Sequence, residues 1–172
     1  MIISRNRKLT WIALLVAVGL IIFMIEMLIP RPLPWLKPGL ANMSTLAALY
    51  LFGLPEALIV AILRVCLGSL FTGTLFNPTF FLSFGGSISA TLMMFSLLKL
   101  LPQTFSIIGI GIIGAVSHNV TQLALVALLL MHHSGIFYLL PILSISAIVT
   151  GIFVALVTHA LLSYIHKHLL AL

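Results

Sequence analysis

The stretch Ala57-Leu58-Ile59-Val60-Ala61-Ile62-Leu63-Arg64-Val65-Cys66-Leu67-Gly68-Ser69-Leu70 is an apolar run with one cation in it. A guanidinium at the centre of a membrane helix costs ~2.5–3.5 kcal/mol on insertion scales. Arginine cannot shed its proton to escape that cost. Arg64 therefore needs a wet cavity, a polar partner or an anionic ligand.

The rest of the chain sets the same environment. Of 172 residues, 62% are hydrophobic and 6% charged, and the mean hydropathy is +1.33. A globular domain carries about 25% charged residues. Apolar segments recur from Leu9 to Ile165, which predicts an all-α, polytopic membrane bundle. The length fits one integral membrane domain over residues 1–172, with no room for a soluble catalytic lobe. The single cysteine, Cys66, lies in the apolar run and has no internal disulfide partner.

The net charge of +6 is better read as topology than as nucleic-acid affinity. Arg5, Arg7 and Lys8 precede the first span, Lys99 lies in the fourth connection and Lys167 near the C-terminus. With six spans and both termini cytoplasmic, these five face inward, while Arg31 and Lys37 face outward. Leu9–Ile29 is too long for the apolar core of a signal peptide and is followed by Pro30-Arg31-Pro32, so it reads as a retained anchor.

Six transmembrane helices are expected at about 9–29, 40–52, 56–71, 79–98, 105–131 and 137–165. The second ends at Gly53-Leu54-Pro55, and Asn77-Pro78 precedes the fourth. The second and third are short for a ~30 Å hydrocarbon core, so neighbours should shield them. Pro30–Gly39 holds four of the eight prolines and must be stiff and extended. It is either a rigid connector or an external lid, with Trp35 and Lys37 as the lid residues. Small residues recur at packing distance: Ala13/Ala17, Gly86/Ala90, Gly111/Ala115 and Ala147/Gly151/Ala155. Ala13/Ala17 is the best candidate for docking a second membrane protein, because the rest of its helix is bulky.

Intramembrane polar residues are few. Asn42, Ser44 and Thr45 open the second helix, Arg64 and Ser69 lie on the third, and Ser117, His118, Asn119, Thr121 and Gln122 cluster on the fifth. His118 and Gln122 are four apart and share a helix face. Asn42, Arg64, His118, Asn119 and Gln122 are the candidate substrate contacts, the alternative for each being interhelical hydrogen bonding. Glu26 and Glu56 are expected near opposite membrane surfaces, as interfacial groups and not as partners of Arg64. The adjacent His132 and His133 point apart on a helix and have no acid or cysteine beside them, so no metal site is expected. No Walker A, GxSxG, HExxH or CxxC motif is present. Two distant carboxylates do not make a site for magnesium-diphosphate chemistry, so the chain is not expected to be an enzyme.

Several segments together resemble the Gx transporter family, also labelled heptaprenyl diphosphate synthase component I. They are Lys37-Pro38-Gly39-Leu40-Ala41-Asn42, Ala48–Gly53 with Glu56-Ala57-Leu58, Leu63-Arg64-Val65 with Gly68–Thr74, Gly114–Asn119 with Gln122, and Phe137–Pro141. The resemblance covers roughly Leu9 to Leu162. That family looks like the substrate-binding S-components of energy-coupling factor transporters. The resemblance implies a six-helix fold with an external pocket and residence in the bacterial cytoplasmic membrane. It also implies partners: a transmembrane coupling subunit and two cytosolic ATPases, which alone would use ATP. No cofactor would be bound covalently. An AxxxA pair on the first helix of S-components contacts the coupling subunit, and Ala13/Ala17 match it. Flavin or a quinone or isoprenoid precursor is the substrate class implied. The alternative is a non-catalytic membrane component of polyprenyl diphosphate synthesis.

Overall fold

The computed structural model describes residues 5–28, 39–102, 104–131 and 134–168. Six α-helices follow one another: α1 Arg5–Leu28, α2 Asn42–Phe52, α3 Leu54–Phe71, α4 Pro78–Leu100, α5 Ile107–Val126 and α6 Leu140–His168. Five helical segments are long and apolar enough to cross a bilayer. The chain is an all-α, multi-pass membrane protein. Trp35, Lys37, His132 and His133 lie outside the described residues.

The remaining helix, α2, organises the bundle. Its 11 residues rise about 16 Å, half of a hydrocarbon core. It is buried along nearly its whole length, from Asn42 to Leu49, and it packs against α1, α3, α4 and α6. Neighbouring helices, not lipid, therefore surround it, which relieves it of the spanning length. Thr158 of α6 donates to the Met43 carbonyl and ties the two together. Gly53 ends α2 with φ +96°, a backbone conformation that suits glycine. Leu54-Pro55 then opens α3, with proline in the first turn, where its missing N–H costs nothing.

α1 keeps its small-residue pair off the face that packs the bundle. Its buried stripe is Ile12, Leu15, Val16, Gly19, Phe23 and Glu26, at helical spacings of three and four. Ala13 and Ala17 are exposed beside Leu14 and Val18. In α5 and α6 the small residues do pack the bundle. A Cβ on Gly151 would lie 2.5 Å from Ile112 Cα, and one on Gly111 would lie 2.7 Å from the Gly151 carbonyl oxygen. The two backbones touch there.

The fifth span differs from a plain helix to Met131. α5 stops at Val126 and continues as a π-helical turn over Ala127–Met131, followed by a 3₁₀ segment at Ser134–Leu139. At the other end of the bundle, Lys8 pairs with Glu56 in the first turn of α3. A carboxylate there also complements the helix dipole.

Candidate functional site

The buried face of α3 runs through Ala57, Val60, Ala61, Arg64, Val65, Gly68 and Ser69. Most of these are small, so neighbouring helices come close enough to enclose Arg64, which is 2% exposed. The arginine stem crosses Gly19 of α1, where a Cβ would stand 2.7 Å from Arg64 Cδ. Arg64 Nη2 uses both its hydrogens. It donates to Asn42 Oδ1 at 2.9 Å and to Ser87 Oγ at 2.8 Å. One nitrogen thus joins α2, α3 and α4. Arg64 Nε and Asn42 Nδ2 are buried donors with no acceptor among the described residues. An unmet buried donor costs ~1–3 kcal/mol, so the site has a surplus of donors.

Glu26 is the main correction to the sequence expectation. It is 1% exposed, not interfacial, and its carboxylate accepts the backbone N–H of Leu40. The reason is register. Glu26 lies seven residues after Gly19 and three after Phe23, so α1 turns it into the bundle with the buried stripe. Glu26, Phe23, Gly39, Arg64, Val65, Ser83, Ser87 and His118 line one cavity of about 10 Å³. That is about the room one water molecule needs. Ligand pockets of cofactor size run to roughly 300–1,000 Å³. The cavity beside Arg64 is therefore closed to a molecule of that size as it stands. A wider groove of about 540 Å³ follows α4 from Phe84 to Ser96, but it is open, apolar and away from the buried polar groups.

His118 comes in from α5. A Cβ on Gly86 would lie 2.9 Å from its ring, so α4 admits the imidazole because position 86 is glycine. Gln122 Nε2 lies 3.0 Å from His118 Nε2. The amide nitrogen can only donate, which makes the ring nitrogen the acceptor and puts the ring proton on Nδ1. Asn119 turns another way and donates to the Leu143 carbonyl of α6 at 3.3 Å. Of the five candidate contacts, Asn42 and Arg64 are bonded to each other, His118 lines the same cavity, Gln122 supports His118, and Asn119 joins α5 to α6.

Sequence inspection missed α4. Ser83, Ser87 and Thr91 recur every four residues and are all buried. Ser83 and Thr91 bond back to carbonyls four residues earlier, whereas Ser87 receives Arg64. The four-residue period was the available signal. Among the described residues, no three His, Cys, Asp or Glu side chains gather as metal ligands. What the site does offer is a fixed cation and hydrogen-bond donors, arranged to hold an acceptor-rich group.

A family model described as heptaprenyl diphosphate synthase component I matches residues 15–161. A solved structure described as the S component of a bacterial ECF transporter is similar over 96% of this chain and 99% of its own, with a TM-score of 0.75 and 23% identity. At that identity the likeness is one of fold. No curated protein matches the chain.

Proposed function

The chain belongs to the heptaprenyl diphosphate synthase component I family, and we propose that it is the substrate-binding membrane subunit of an ATP-driven transporter of the energy-coupling factor type. The fold shared with an S component supports this. The observation that carries it is the buried Arg64, bonded to Asn42 and Ser87 beside unmet donors. A guanidinium kept at membrane depth at this cost is a functional feature before it is a structural one.

In this reading Asn42, Arg64 and His118 contact a small cofactor-like molecule, and Gln122 and Asn119 hold the α5 wall. A flavin or a quinone or isoprenoid precursor has the ring carbonyls or anionic groups such donors prefer. Ala13 and Ala17, exposed side by side on α1, form the docking face for a transmembrane coupling subunit. Two ATPases on the cytoplasmic side supply the energy. The protein sits in the bacterial cytoplasmic membrane with both termini inside. Substitution of Arg64→Ala tests the reading. Small molecules released from the purified wild type are identified by mass spectrometry. The variant is expected to insert and purify yet carry none; equal loading of both proteins sinks the proposal.

The family's label favours a second reading, a membrane component of heptaprenyl diphosphate synthesis. Glu26 and Glu56, the only side-chain carboxylates, lie apart, one in the Arg64 cavity with Leu40 and one with Lys8. Such a role would be non-catalytic. Co-purification with a prenyl-transferring subunit and with no ATPase would favour it.

A further inference from the structure

We propose that the Glu26 carboxylate occupies the place of the ligand's anionic group, so that the site closes on one of its own side chains; the proposal rests on the reading of Arg64 as a ligand contact. Three observations carry it. Glu26 and Arg64 face the same cavity, which is too small for anything beyond about one water. Glu26 is held there by the N–H of Leu40, two residues before Asn42, which itself bonds Arg64. With Glu26 in the cavity, Arg64 Nε and Asn42 Nδ2 still have no acceptor among the described residues, so the site has donors to spare for an incoming anion.

The packing identifies the part that moves. The backbone of α1 is seated. A Cβ on Gly68 would lie 2.4 Å from the Phe23 ring, and one on Gly19 would strike the Arg64 stem. Both contacts hold α1 close against α3. Beyond its Cα, however, Glu26 has three rotatable bonds. A carboxylate or phosphate arriving at Arg64 repels the Glu26 carboxylate and takes up the donors that Glu26 leaves unmet. Glu26 then swings out and releases Leu40. The site accordingly selects an acceptor-rich anion and rejects a cation, which would meet Arg64 with like charge.

Chemical rescue tests this in the full chain. Glu26→Ala leaves a carboxylate-sized void, and the probe is free propionate, with neutral propionamide as its control. The readout is hydrogen exchange over the segment containing Leu40–Asn42. Exchange in Glu26→Ala is expected to be about tenfold faster, the factor that one hydrogen bond to a charged group is worth. Propionate should restore protection, propionamide should not, and Glu26→Ala/Arg64→Gln should not respond. Should Glu26→Ala fail to fold, Glu26→Ser is used, and propionate should raise its melting temperature by more than it raises that of the wild type. Unaltered exchange in Glu26→Ala, no response to propionate, or an equal response to propionamide overturns the inference and leaves the Arg64→Ala ligand test standing. A propionate response that persists with Arg64→Gln overturns both this inference and the reading of Arg64.

Discussion

Arg64 reaches its partners by crossing Gly19: the position a Cβ would take on Gly19 is 2.7 Å from Arg64 Cδ and 2.3 Å from Ser44 Oγ. One missing methyl group on α1 thus gives the guanidinium its path between α2 and α4. Glycine in a helix interior costs roughly 0.5–1 kcal/mol against alanine. Here that cost is offset by the two hydrogen bonds of Nη2.

Gly19→Ala should therefore destabilise the protein in spite of its better helix propensity. Overpacking a filled core costs ~1–3 kcal/mol. We expect a lower melting temperature in detergent and weaker ligand retention together. A melting temperature equal to or above wild type would show that the Arg64 stem has room to spare.

Arg64 and Glu26 should be energetically coupled. Removing one member of a buried charged pair is costly, because the other is left uncompensated. We expect Arg64→Met and Glu26→Gln each to lower stability, and the double variant to lose less than their sum, with a coupling of ~0.5–3 kcal/mol. A thermodynamic cycle by reversible unfolding in mixed micelles measures it. Strict additivity would mean that the two groups ignore one another across the cavity.

Ala13→Trp and Ala17→Trp should leave the melting temperature unchanged, because both alanines point away from the core. They should abolish association with a coupling subunit when the proteins are co-expressed. Normal co-purification of both variants would place the docking face elsewhere.

Two glycines separate crowding from backbone conformation. A Cβ on Gly151 would lie 2.5 Å from Ile112 Cα, which is backbone and cannot yield. Nothing lies within 4 Å of a Cβ on Gly53, whose φ is +96°. Gly151→Ala should part α5 from α6 and lower yield sharply. Gly53→Ala should cost only the backbone term, ~1–3 kcal/mol. Similar losses at both positions, by thermal unfolding, would refute the distinction.

How far the sequence reaches is visible in these residues. The membrane class and the helices follow from apolar length, and Arg64 stands out because charge is rare in such segments. Asn42 stands out because it is one of the few polar residues in the spans and opens the second helix. Glu26 was misplaced because linear distance from the end of α1 suggested an interface, while its rotation about the helix axis decided burial. Ser87 was overlooked because one serine in a membrane helix ordinarily bonds its own backbone. Only tertiary contact shows that this one accepts from an arginine 23 residues earlier. Likewise, Asn119 and His118 are adjacent in sequence yet serve different helix pairs, a consequence of the 100° turn between neighbours that no residue count conveys.

The shortness of α2 bears on how the protein is made. Eleven residues cannot bridge the bilayer, so the insertion machinery has no complete span to release when Phe52 emerges. α2 has to enter together with α3, as a hairpin hinged at Gly53, and its polar start at Asn42 meets Arg64 only once α3 has followed. A nascent chain truncated after Phe52 should stay accessible to aqueous labelling at Asn42 and Ser44, and one extended through Phe71 should not. Insertion and the assembly of the Arg64 cluster are then a single event, because the helix that cannot insert alone brings the first acceptor for the arginine.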